Sequence, residues 1–262
     1  MHWKKLKQVL FRILKGQVCP VVWGPLRGLS FEMSEACGLA AFVSGGSSSE
    51  GDTQRQLARH CRRGSLVLDC GANWGLHTFL LSRLVGPTGR VLAVEASPEI
   101  QQLLKRNIAI NKIQNVEVVE KALGKEAGVV RFNSGVGSTT GRCARDDENV
   151  DVIEVASTTL DAITKSQSLP LSLVKMDIEG AESMALKGAT TTLKIVRPVF
   201  VIELHSPAND LEVAKIMQQN EYELYRLNGE KIGKPDCSWP DPEGVYGTIV
   251  CIPKEKKDAR CS

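Results

Sequence analysis

The chain has 262 residues, a formal net charge of +3, 42% hydrophobic and 24% charged residues, and only 5% aromatic residues. That is the make-up of an ordinary globular protein, long enough to close a substantial core. So small a charge implies no broad basic face for nucleic acid, and so few aromatics imply no base-stacking platform. The eight cysteines (Cys19, Cys37, Cys61, Cys70, Cys143, Cys237, Cys251 and Cys261) form no Cys-x-x-Cys pair. Their irregular spacing predicts free thiols in a reducing, cytoplasmic compartment. No stretch approaches the roughly 18 apolar residues of a membrane span.

Residues 3–14 set Trp3, Leu6, Val9, Leu10, Ile13 and Leu14 at helical spacing, with Lys4, Lys5, Lys7 and Arg12 largely opposite. Such a stripe either packs on the domain, the favoured reading, or makes weak contact with an anionic membrane surface. Residues 16–50 are rich in Gly, Pro and Ser and predict a loop or hinge, followed by a helix over 52–62. Strands are predicted at 65–69, 90–95 and 116–120, separated by helices at 75–84 and 97–111, the latter opened by Ser97 and Pro98. Strands alternating with helices of this length imply parallel βαβ units. The alternation pauses at 124–155, where short strands at 129–132 and 152–155 flank a Gly/Ser/Thr loop. It resumes with a short helix at 160–164, a strand at 173–177, a helix at 181–193, a strand at 198–204 and a helix at 211–219. The segments 221–226 and 247–252 read as paired antiparallel strands. No repeat and no second core are evident, so residues 1–50 are taken as an extension and 51–262 as one domain.

Four stretches carry chemistry. Val67-Leu-Asp-Cys-Gly-Ala-Asn-Trp-Gly75 follows a strand and opens a helix, and Gly71 and Gly75 permit positive φ or close approach of a ligand. The dinucleotide fingerprint Gly-x-Gly-x-x-Gly is not met, and Asp69 would repel a diphosphate, so a nicotinamide oxidoreductase is the weaker alternative. The turn suits a ligand carrying an ammonium and a sulfonium. Glu95 ends the second strand, where doubly wound sheets place an acceptor for ribose hydroxyls. Lys175-Met-Asp-Ile-Glu-Gly-Ala-Glu182 again ends a strand in an acid and puts Asp177 and Glu179 at the mouth of the sheet, with Glu182 read in part as a helix-dipole residue. Val201-Ile-Glu-Leu-His205 puts Glu203 and His205 on one side of a strand.

Taken together and in order, these stretches resemble the FkbM-type methyltransferases, a branch of the class I S-adenosylmethionine-dependent enzymes. Further matches are Gly24-Pro-Leu-Arg-Gly28, Gly86-Pro-Thr-Gly-Arg90, Asn107-Ile-Ala-Ile-Asn111, Leu160-Asp161, Lys187-Gly-Ala189 and Arg197-Pro198. The resemblance runs from about residue 16 to 253. It lacks the aromatic that commonly accompanies the acids of 48–54, and it has Cys70 where an aliphatic residue is usual. It implies a Rossmann-like α/β fold with a doubly wound seven-stranded sheet, mostly parallel with an antiparallel last strand. It implies S-adenosylmethionine as cofactor, with Asp69, Gly71, Asn73 and Gly75 at its methionine end and Thr78 assisting. Glu95 would take the ribose, Ala122 would line the adenine, and Asp177 would sit by the amino acid end or the sulfonium.

Transfer to a hydroxyl needs alignment and a proton acceptor. His205, Glu203, Glu179 and Asp177 are the candidates, and a divalent cation at the same cluster is possible but not favoured. The expected acceptor is a small molecule or glycan. A protein that binds the cofactor without turnover is the third alternative.

Overall fold

The computed structural model describes residues 13–34, 48–134, 142–144, 152–233 and 247–258. A hairpin of β1 (Val18–Pro20) and β2 (Ser30–Glu32) precedes α1 (Ser48–His60). Then come β3 (Leu66–Cys70), α2 (Leu76–Val85), β4 (Arg90–Val94), α3 (Pro98–Ile110) and β5 (Val116–Val119). A small β section follows: β6 (Ala122–Leu123), β7 (Gly128–Asn133), β8 (Arg142–Cys143) and β9 (Val152–Thr158). The chain continues with α4 (Leu160–Lys165), β10 (Leu171–Met176), α5 (Glu182–Lys187), a π-helical turn (Thr192–Val196) and β11 (Val199–Leu204). It ends with α6 (Pro207–Gln219), β12 (Tyr222–Arg226), β13 (Lys231–Ile232), β14 (Gly247–Pro253) and α7 (Lys254–Asp258).

The main sheet runs β13-β12-β14-β11-β10-β3-β4-β5. From β11 to β5 all pairings are parallel, and β14 lies antiparallel between β11 and β12. The fold is therefore the doubly wound α/β sheet expected, with a correction in strand number. The sheet carries eight strands, not seven, because Lys231–Ile232 folds back on β12 as a two-residue edge. The chain leaves β3 toward β4 and β5 but returns to the other flank of β3 with β10, which makes the β3/β10 junction the switch point where ligands of open sheets bind.

Alternation along the buried strands sorts side chains into two cores. Leu66, Leu68, Cys70, Val174, Met176, Phe200 and Ile202 face one layer, and Val67, Leu173, Val199 and Val201 face the other. The strands β6, β9, β7 and β8 form a separate four-stranded sheet with its own small apolar centre at Ala122, Phe132 and Val155.

Two boundaries differ from the sequence reading. The helix predicted over 181–193 stops at Lys187 and is capped by Gly188, which passes so close to the preceding β section that a Cβ there would lie 2.4 Å from the Gly124 carbonyl. The Asp161 carboxylate then accepts from the amides of Thr191 and Thr192, which restarts the chain as a π-helical turn. The extension is also not a detached loop. Leu26, Leu29, Phe31 and Met33 are buried in the main core, and Phe31 packs on Trp74 and Phe79 with ring centroids 5.1 and 4.9 Å apart. The boundary at 50 falls inside α1, which begins at Ser48. The predicted helix over 3–14 and the loops 35–47 and 135–141 lie mostly or wholly outside the described residues, and of the cysteines Cys19, Cys61, Cys70, Cys143 and Cys251 are free thiols.

Asn107 of α3 and Asn111, the residue that caps its C-terminus, tie the hairpin down. Asn111 Oδ1 accepts from the Ser30 amide and its Nδ2 donates to the Ser30 carbonyl. The fully buried Asn107 accepts from the Glu32 amide at 2.9 Å and donates to the Trp74 carbonyl at 3.1 Å. Replacing Asn107 with Ala strands a donor and an acceptor away from water. Urea unfolding of Asn107→Ala is expected to show a loss of about 2 kcal/mol, while an unchanged midpoint would remove this clasp from the fold's stability.

Candidate active site

The ends of β3 and β10 are locked together. The parallel register sets Asp69 directly beside Lys175, both on the face covered by the main core. Asp69 is fully buried and its Oδ2 accepts from Thr78 Oγ1 at 2.6 Å. Lys175, whose side chain is 5% exposed, places Nζ 3.4 Å from Asp69 Oδ1, 3.4 Å from Asp177 Oδ2 and 3.2 Å from the Gly71 carbonyl. Burial by itself would favour a neutral amine, but Asp177 and Asp69 outweigh it and hold the ammonium charged above its ordinary range. The same pairing, reinforced by His205, overcomes the burial of Asp177 and keeps its carboxyl well below the usual carboxylate range.

The two turns touch through their backbones. The Asp177 amide donates to the Cys70 carbonyl at 3.0 Å. Gly71 has φ +78, and a Cβ on it would fall 1.7 Å from the Asp177 carbonyl oxygen, so only glycine fits. Gly75, at φ +111, serves packing instead: a Cβ there would strike Phe79 and Leu104, so this glycine lets α2 close on the core.

Between these turns and the small sheet lies an open cleft whose enclosed part measures about 80 Å³. Gly71, Asn73, Glu95, Ala122, Asp177 and Glu179 line it, with Ile100, Leu123 and Phe132 supplying an apolar wall. Glu95 is pinned by two amides, Asn73 N at 2.9 Å on Oε2 and Ser97 N at 2.8 Å on Oε1. Burial raises its proton affinity, and those amides offset the rise in part. Asp69 and Thr78, expected at the cofactor, lie beneath the lining and brace the Gly71 turn from below.

The second cluster surrounds His205. Its Nδ1 is 2.9 Å from Glu182 Oε1, and its Nε2 is 3.3 Å from Asp177 Oδ1 and 3.5 Å from Glu179 Oε2. Burial opposes charge on the ring, but the hydrogen bonds to Asp177 and Glu182 prevail and raise its pKa from 6.5 to about 11. At neutral pH the ring is an imidazolium that donates from both nitrogens and has no free lone pair to accept a proton. Burial pushes the carboxyls of Glu179 and Glu203 up, and the negative charge of Asp177 adds to the rise in both.

Glu179 borders both the cavity and a wider groove that runs along the small sheet past His205. It holds φ +54, a left-handed backbone uncommon for a glutamate. Asp177, Glu203 and His205 each bring one donor atom within 4.8 Å of the others, the spacing of a cation site, although the Lys175 ammonium and the imidazolium compete there with any metal ion.

Two members of this site escaped the sequence reading. Lys175 sat in plain view inside the quoted motif, and the signal was a lysine in an apolar run two residues before an acid, hence on the same strand face. Glu182 does stand in the first turn of α5, but it is also a buried clamp. Fully buried, it accepts from the amides of Ile178 and Gly180, from His205 and from Asn209 Nδ2 at 2.6 Å.

The profile described as "Methyltransferase FkbM domain" matches residues 69–224. The hexuronic acid methyltransferase AglP of Haloferax volcanii is 25% identical over 185 residues, which cover 70% of this chain and 74% of that protein. A protein-L-isoaspartate O-methyltransferase of Methanothrix thermoacetophila is 36% identical over 58 residues, 22% of this chain, and the match spans only 28% of that relative's length. Among solved structures, a protein titled a putative rRNA-methylase from Clostridium thermocellum superposes with a TM-score of 0.50 at 12% identity, over 78% of this chain and 94% of that one. That likeness is one of fold.

The imidazolium sets a pH dependence. A ring that binds its proton more tightly folded than unfolded, where its pKa is 6.5, adds stability that is complete below about pH 6.5 and is lost as pH climbs toward 11. The His205 ring signals in an NMR titration are expected to stay in the protonated position from pH 5 to about 8. His205→Gln is expected to flatten the fall in urea midpoint above pH 6.5. Titration of His205 near its ordinary pKa would contradict the clamp.

Proposed function

We propose that this chain, which belongs to the methyltransferase FkbM domain family, transfers the methyl group of S-adenosylmethionine to a hydroxyl on a small molecule or glycan. The observation that carries the reading is the cavity at the β3/β10 switch point, whose polar groups come from separate turns and match the parts of that cofactor. Gly71 lets the backbone approach a ligand where no Cβ fits. The Glu95 carboxylate, already fixed by two amides, keeps lone pairs for ribose hydroxyls. Ala122 with Ile100 and Phe132 offers a flat apolar slot to a purine. Asp177, held ionised by Lys175 and His205, is a counter-ion for an ammonium or sulfonium. These residues fit S-adenosylmethionine, which supplies an already activated methyl group when bound.

The protein's remaining tasks are to align the acceptor and take its proton. We assign the proton to Glu179. It stands where cavity and groove meet, its proton affinity is raised by burial, and its left-handed backbone is the kind of strain retained at working sites. His205, as an imidazolium, holds Asp177 and Glu179 in place rather than acting as the base. Glu203, also raised by burial, is the second candidate. The match to AglP over most of both chains supports a carbohydrate acceptor, whereas the isoaspartate enzyme matches too short a segment to bear on it.

Calorimetric titration is expected to give binding of S-adenosylmethionine and none of NAD. Gly71→Ala is expected to abolish that binding, since the added methyl cannot coexist with the Asp177 carbonyl. With a methylated acceptor in hand, Glu179→Gln should lower kcat by about 10²- to 10⁴-fold with cofactor affinity kept within about threefold. An equal loss in Glu203→Gln alone would transfer the role to Glu203. Binding without formation of S-adenosylhomocysteine from any hydroxyl acceptor would reduce the chain to a cofactor-binding protein.

A further inference from the structure

The hairpin of β1 and β2 carries a surface that the methyl-transfer reading does not use. Along β1 and the two residues beyond it, alternate side chains point inward and outward. Cys19 packs on the main core and Val21 is buried in it, while Val18, Pro20 and Val22 face out, followed by Trp23 at the tip. A strand with one wetted face normally shows polar residues there. On β1 and the turn after it that face is apolar: Val18 is 53%, Val22 52% and Trp23 68% exposed, and Ile13, just before the hairpin, is 66% exposed; across the hairpin Ser30 and Glu32 stand opposite Pro20 and Val18. Four of the nine large exposed hydrophobic residues among the described ones fall within residues 13–23, so they are not the scattered apolar residues of any surface.

The sequence leading into and through this hairpin is basic. Residues 1–31 contain Lys4, Lys5, Lys7, Arg12, Lys15 and Arg27 and no acid at all. Lys15 and Arg27 are exposed beside the apolar face, and Arg83 of α2 reaches under the tip to donate to the carbonyls of Pro25 and Arg27. The first acid of the chain, Glu32, is engaged by Arg106 of α3. An exposed tryptophan near exposed aliphatic residues, in a segment with exposed Lys15 and Arg27, matches the interface of an anionic membrane, where the indole sits at headgroup depth and the cations meet lipid phosphates. No helix among the described residues is long and apolar enough to cross a membrane, so the contact would be peripheral.

We propose that the outward face of the β1–β2 hairpin, Val18, Pro20, Val22 and Trp23 with Lys15 and Arg27, docks the protein on an anionic lipid bilayer. The tip bonds to Arg83, in the last turn of α2, whose first turn starts at the active-site edge. Membrane docking and cofactor binding therefore use separate ends of the molecule.

Flotation of the full chain with vesicles tests this. One set contains phosphatidylcholine alone and the other phosphatidylcholine mixed with phosphatidylglycerol. The chain is expected to float with the anionic vesicles at low salt. The bound fraction should fall about tenfold in about 1 M salt, where charges beyond about 3 Å are screened. Val22→Ser combined with Trp23→Ser should cause a similar loss at low salt while S-adenosylmethionine affinity, the check that the chain is folded, stays unchanged. No flotation, or equal flotation with neutral vesicles, overturns the proposal. So does a dimer in sedimentation equilibrium that the double substitution dissociates while vesicle binding is absent.

Discussion

A single buried ammonium organises the cavity edge of this protein. Lys175 Nζ lies among Asp69, Asp177 and the Gly71 carbonyl, at the junction where the chain reverses direction across the sheet. Taking a lysine out of water is unfavourable unless partners surround it, and removing one partner of such a set typically costs about 3–5 kcal/mol. The pair is therefore weak evidence for added stability but strong evidence for fixed geometry. It holds the strand-end acid of β3, the glycine turn after it and the turn after β10 in one arrangement. Gly71 against the Asp177 carbonyl leaves that arrangement no slack.

The charges beyond Lys175 follow from it. Asp177 is shared between an ammonium on one side and an imidazolium on the other, which keeps it ionised despite burial. Glu182 holds the imidazolium from behind and at the same time receives the amides of the turn between Asp177 and Gly180. Two cations thus face several carboxylates, and in Glu179 and Glu203 burial together with the negative charge of Asp177 outweighs those cations, so their proton affinity rises. Environment alone divides chemically similar side chains into structural anions and candidate bases.

Much of this was legible in the residues. Apolar runs ending in acids located β3, β4 and β10, and the glycine spacing separated the turn from a pyrophosphate cradle. Gly71, Asn73, Glu95, Ala122 and Asp177 do line one cavity. What stayed hidden depends on distance in three dimensions. Lys175 reads as a flaw in a strand until the register sets it against Asp69. Glu182 reads as a helix-start acid until its partners across 23 to 27 residues of chain come into contact with it. The Gly/Pro-rich segment before α1 concealed a hairpin because its few buried residues, such as Leu26 and Phe31, have no period long enough to detect. The break of the 181–193 helix falls at Gly188, which packs against the backbone near Gly124, remote in sequence.

The separation of the four-stranded β6–β9 unit from the main sheet has a consequence for how such an enzyme can diversify. One wall of the cavity belongs to the main sheet and its turns, where Gly71, Glu95 and Asp177 are held by close contacts and hydrogen bonds. The opposite wall, through Phe132 and Cys143, belongs to a small sheet with its own centre of three buried residues. On the proposed reading, in which the acceptor lies beside Glu179, replacements on that wall would reshape what is admitted there without disturbing the ammonium-centred junction. Selection can thus exchange acceptors on an inherited donor half, and descendants of this fold would be expected to vary most in the one sheet and least in the other.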